Sequence, residues 1–127
     1  MKNNIVYIFL ATIVLFANCD RVFENEVEDI TPPELHVFVE DDNGSRVDGA
    51  QVTLFVSAED FENKSNSLVN KTTDGAGKAI FTEAELSEPG IYYVWAEKDG
   101  KTNAASTTVT KYLLLNDGHT FLFTTIE

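Results

Sequence analysis

The sequence predicts an all-β fold, a seven-stranded antiparallel β-sandwich set behind a short export leader. Three observations carry that expectation. From Leu35 onward apolar and polar residues alternate in short runs, the period of strands with one buried face. The runs are cut by turn residues, among them Asp41-Asp42-Asn43-Gly44, Asp74-Gly75-Ala76-Gly77 and Lys98-Asp99-Gly100-Lys101, where Asn, Asp and Gly tolerate positive φ. The segment 33–127 also has the length of one sandwich, about 100 residues.

Ile5 to Ala17 is an uncharged run behind Lys2. As a helix its 13 residues rise about 20 Å, short of the ~30 Å hydrocarbon core, so a cleaved export signal fits better than a membrane span. The run ends Leu15-Phe16-Ala17-Asn18-Cys19, and polar, acidic sequence follows at once. This resembles a bacterial lipoprotein signal with its lipobox. The resemblance implies a signal peptide over residues 1–18, transfer of a diacylglycerol bearing palmitate-type chains to the Cys19 thiol, cleavage before Cys19 and acylation of the new amino terminus. Ala17 suits the pattern, while Phe16 and Asn18 depart from it. A membrane held through the lipid anchor is thus the first expected partner, and the Gram-negative cell envelope the expected address. Asp20 favours the inner membrane under one sorting rule. The acids Asp20, Glu24, Glu26, Glu28 and Asp29 resemble the surface-export signal of other lineages, which favours the outer membrane or cell surface. Residues 19–32 form an acidic tether, closed by Pro32-Pro33, which holds the backbone extended.

Leu35 to Glu40 opens the domain with Leu35, Val37 and Val39 on one face. Ala50 to Val56 repeats the pattern with Ala50, Val52, Leu54 and Val56. Ser57 to Ser67 is a polar excursion in which Ser57 caps a single helical turn with Asp60 inside it. Leu68 to Thr73 and Lys78 to Thr82 flank the Asp-Gly turn as a hairpin. Ser87-Glu88-Pro89-Gly90 turns the chain into Ile91 to Glu97, with Tyr92, Val94 and Ala96 inward. Thr102 to Leu115, rich in Thr and Val, is the sixth strand, and His119 to Ile126 the seventh.

Val39-Glu40-Asp41, Gly44, Val47-Asp48-Gly49-Ala50-Gln51-Val52-Thr53-Leu54, Thr73-Asp74-Gly75 with Gly77, Ala79-Ile80-Phe81, and Gly90-Ile91-Tyr92-Tyr93-Val94-Trp95-Ala96 follow one another in order. That order resembles the carboxypeptidase regulatory-like, collagen-adhesin B-type and transthyretin-like sandwiches, and implies an immunoglobulin-like or prealbumin-like fold. Collagen-adhesin B-type domains often form a Lys-to-Asn isopeptide bond between first and last strands. Leu35 to Glu40 has no Lys and His119 to Glu127 no Asn, so none is expected. The transthyretin-like hydrolases need a C-terminal Tyr-Arg-Gly-Ser, which Phe123-Thr124-Thr125-Ile126-Glu127 replaces. The domain is therefore read as non-catalytic and without a cofactor.

Two groups are candidates for contact. Phe38, Phe55, Tyr93 and Trp95 fall opposite the aliphatic faces of their strands, as an outward platform for a glycan or a protein. The bland alternative is that Phe61 in the Ser57–Ser67 excursion covers them. Asp41, Asp42, Asn43 and Asp48 offer oxygens for an opportunistic Ca²⁺, with a solvated turn as the default. His36 and His119, on the first and last strands, are a conceivable metal or acid/base pair for which spacing supplies no third ligand.

With 9 Lys and Arg against 21 Asp and Glu, net charge −12, the surface repels phosphate backbones and excludes nucleic acid as a partner. A hydrophobic share of 43% still provides a packed core. One cysteine excludes an intramolecular disulfide and a multi-cysteine zinc site. The sequence thus reads as an envelope lipoprotein carrying a binding or accessory module, the alternatives being a structural spacer or adhesin-like subunit, or a small hydrolase.

Overall fold

Residues 31–106, 108–114 and 118–127 are described by a computed structural model. The expected leader, Cys19 and the expected tether as far as residue 30 lie outside the described residues. Among the described residues, no helix is long and apolar enough to cross a membrane.

In chain order the elements are β1 (Glu34–Glu40), β2 (Gln51–Phe55), α1 (Ala58–Asn63), β3 (Val69–Thr72), β4 (Lys78–Phe81), α2 (Glu83–Leu86), β5 (Tyr93–Lys98), β6 (Lys101–Thr102), β7 (Thr108–Val109) and β8 (His119–Thr125). They form an all-β sandwich of two sheets. One sheet runs β4-β1-β8, and the other β3-β2-β5-β6 with β7 also on β5. Alternation buries Leu35, Val37 and Val39 of β1 and Ala79 and Phe81 of β4. They face Val52 and Leu54 of β2 and Val94 and Ala96 of β5, with Tyr92 alongside. Each inward residue loses its contact with water, worth about 1.5–3 kcal/mol for a Val, Leu or Phe side chain, and this burial sets the parity of every strand. The Tyr92 hydroxyl reaches the carbonyls of Leu86 and Glu88 and so pins α2, while burial pushes its phenol pKa up.

The expected hairpin across the Asp-Gly turn is not formed: β3 pairs with β2 in one sheet and β4 with β1 in the other, so residues 74–77 carry the chain from sheet to sheet. Three further expectations are corrected. Among the described residues the strands number eight, because the single strand expected from Thr102 to Leu115 is split into β6 and β7. The break has a chemical cause in Asn103, 1% exposed. Its backbone N–H donates to Ala96 O at 3.1 Å, its Oδ1 accepts from Ala96 N–H at 3.0 Å, and its Nδ2 donates to Val94 O at 2.8 Å. The amide side chain thereby fills the ladder of β5 between the Glu97–Thr102 and Val94–Thr108 pairs while the main chain loops away. Second, the sandwich is not wholly antiparallel. β1 and β8 pair parallel over seven registered positions, from Glu34–His119 to Glu40–Thr125. A hairpin turn forces antiparallel pairing, but these strands are joined through the other sheet. Third, Val56 is 57% exposed, because β2 ends at Phe55 and the chain turns away to Ser57. Ser57 does cap α1 as expected, its hydroxyl accepting from Asp60 N–H at 3.2 Å.

Candidate functional site

The four expected platform residues occupy two different sheets. Phe55, Tyr93 and Trp95 stand on the outer face of the β2-β5 sheet, where α1 roofs them. Phe61 of α1 is 8% exposed, and its ring lies 5.9 Å from Phe55, 5.9 Å from Tyr93 and 6.0 Å from Trp95. Lys64, just past the helix, sets its ammonium 3.8 Å from the Trp95 ring centroid and 4.0 Å from that of Phe61. Burial there lowers the Lys64 pKa. This cluster is a second small core, as the covering alternative expected. Phe61→Ala should cost about 3 kcal/mol, the low end for a packed phenylalanine, and shift Trp95 fluorescence to the red. Chemical denaturation and emission spectra check this; an unmoved spectrum would leave Trp95 outside the roof.

Phe38 belongs to the other sheet and to a different group. On β1 the outward residues are Glu34, His36, Phe38 and Glu40, and on β8 they are His119, Phe121, Phe123 and Thr125. The parallel register sets these two rows directly opposite one another. Phe38 stacks on Phe123 with centroids 5.0 Å apart and 12° between planes, and on Phe121 at 6.3 Å. Arg46 lays its guanidinium 4.5 Å from the Phe38 centroid and 4.9 Å from that of Phe123, and pairs with Glu40 at 3.2 Å. Phe121 and Phe123 are 57% and 53% exposed, so among the described residues this face has no helical roof of the kind α1 gives the other. Among the described residues β8 is an edge strand, with β1 on its one paired side.

At the other end of the same face His36 lies against His119, ring centroids 5.0 Å apart, and 5.0 Å from Phe121. Glu34 accepts a hydrogen bond from His36 Nε2 at 2.8 Å, which holds its carboxyl below the usual range. Period-two spacing puts Glu34 on the same face as His36, a signal the sequence carries, whereas its place beside His119 depends on the β1–β8 register.

Two of the four calcium candidates, Asp41 and Asp42, have side chains engaged by other partners. Asp41 Oδ1 accepts from the backbone N–H groups of Ser45 and Asn43, both at 2.9 Å, which lowers its pKa and closes the turn. Asp42 pairs with Lys101 at 3.3 Å, and Asn43 and Asp48 are exposed. Among the described residues the His, Asp and Glu side chains that converge are Glu34, His36 and His119 instead.

No family model matches the chain. No curated protein matches it either. Among solved structures, the Bacillus anthracis TIE protein is similar with a TM-score of 0.53 and 14% identity over 76% of this chain and 16% of that one. A variant of BcpA, the major pilin subunit of Bacillus cereus, gives 0.47 and 16% over 76% and 30%. Chlorocatechol 1,2-dioxygenase from Pseudomonas putida gives 0.46 and 15% over 80% and 63%. The chain thus spans less than two thirds of each of these proteins, and the likeness concerns the fold alone.

Proposed function

We propose that the chain is an exported lipoprotein of the cell envelope, anchored through Cys19, whose sandwich is a non-catalytic module that docks a partner protein. The fold is read as immunoglobulin-like or prealbumin-like, and the outer membrane or cell surface as its place. The observation that carries the docking reading is the open stack of Phe38, Phe121 and Phe123 under Arg46. Water-exposed phenylalanine rings gain most from being covered, and aromatic residues with arginine are the types enriched where proteins meet. Phenylalanine offers no hydrogen bond to sugar hydroxyls, which favours a protein over a glycan. The second reading is an adhesin-like subunit that accepts a strand at the edge of β8, which no described strand covers.

A photo-crosslinking residue placed at Phe123 in intact cells should give a discrete adduct, and one at Val56 none. Equal yields from both positions remove the face from the proposal, and an adduct made of copies of this chain alone favours the adhesin-like reading. An alkyne palmitate should label the wild type and not Cys19→Ala, and equal labelling of both sinks the anchor.

A further inference from the structure

Beyond the phenylalanines, three side chains with metal-binding atoms converge on the outer face of β1 and β8. Glu34 and His36, two apart on β1, point to one side, and the register places His119 across from Glu34. One ligand atom from each lies within 4.8 Å of the other two. Glu34 Oε2 is 2.8 Å from His36 Nε2 and 3.3 Å from His119 Nε2. Zinc bonds of about 2.0–2.2 Å in a tetrahedron separate ligand atoms by roughly 3.3–3.5 Å. The Glu34–His119 pair already has that spacing, and the Glu34–His36 pair needs to open by only about half an ångström to reach it.

We infer that Glu34, His36 and His119 form a Zn²⁺ site, with water in the fourth position. Two imidazoles and a carboxylate suit a borderline metal, whereas Ca²⁺ takes six to eight oxygens. His36 is held for the role. It is 8% exposed, and its ring packs against those of His119 and Phe121. The metal displaces the proton that His36 Nε2 shows to Glu34, so that each neutral imidazole binds through its Nε2 lone pair and keeps its one proton on Nδ1. All three ligands stand on paired strands, so little ordering remains to be done on binding. The bound ion also ties the start of β1 to the start of β8.

The test is calorimetric titration of the full chain in detergent with ZnCl₂, and separately with CaCl₂. One saturable Zn²⁺ site of micromolar or tighter affinity is expected, with no Ca²⁺ bound at it. His119→Gln and Glu34→Gln lie on the open face and leave the core intact, and each should weaken Zn²⁺ at least about tenfold, the lower bound for losing even an outer-shell partner. Co²⁺ should give the visible absorption bands of a tetrahedral ion in the wild type and lose them in both variants. A wild-type titration without saturation overturns the inference. So does a variant that binds as tightly as the wild type with its circular dichroism unchanged.

Discussion

Replacing Asn103 by alanine is expected to destabilise the domain by roughly 3 kcal/mol, more than any surface change. The alanine removes an acceptor from Ala96 N–H and a donor from Val94 O, both on β5, and a donor that reaches Thr124 Oγ1 on β8 at 3.1 Å. Each buried polar group left unpaired costs about 1–3 kcal/mol, partly offset where water enters the space. Asn103 joins the two sheets as well as filling one ladder, so its loss should loosen the contact between β5 and β8 along with the β6–β7 bridge. Urea unfolding measures this, with Asn70→Ala on the exposed side of β3 as the reference, expected within about 0.5 kcal/mol of wild type. Equal costs at the two positions would falsify the account of Asn103 as a surrogate strand residue.

Gly77→Ala is the second large effect, expected at about 3 kcal/mol or more. Gly77 has φ +68°, and a Cβ there would lie 2.9 Å from Val39 O, Val47 N and Arg46 Cβ. Left-handed backbone alone costs a residue with a side chain about 1–2 kcal/mol. The rest comes from crowding, since Val47 N–H donates to Val39 O at 2.9 Å and the new methyl would wedge into that bond. Gly100→Ala separates the two contributions, because Gly100 has φ +82° with nothing within 4 Å of the added carbon. If Gly77→Ala costs no more than Gly100→Ala, crowding plays no part. Gly77 also backs Arg46, so its substitution should disturb the guanidinium over Phe38 and Phe123 and weaken crosslinking from Phe123.

Much of this architecture is legible in the sequence because burial enforces a period of two. Leu35, Val37 and Val39, then Tyr92, Val94 and Ala96, are inward as their alternation requires. What alternation cannot supply is the sheet to which a strand belongs. Phe38 and Trp95 are both outward, yet they stand on opposite outer faces of the sandwich, so one expected platform becomes an open face and a roofed cluster. The same gap hid Phe121 and Phe123, whose company is set by long-range register and by no local spacing. Asn103 was illegible for another reason. A Thr- and Val-rich stretch reads as one strand, and a side chain that stands in for a peptide group leaves no periodic trace.

The parallel pairing of β1 and β8 has a mechanical consequence. The start of β1 and the far end of β8 lie at opposite ends of one ladder, from Glu34–His119 to Glu40–Thr125. A pull between those two ends loads the ladder in shear, so its hydrogen bonds share the force and must yield together. An antiparallel pair pulled from adjacent ends opens like a zipper, one bond at a time. With β4 bracing the other side of β1, the proposed anchoring at Cys19 would load the domain through its first strand in the direction this ladder resists best.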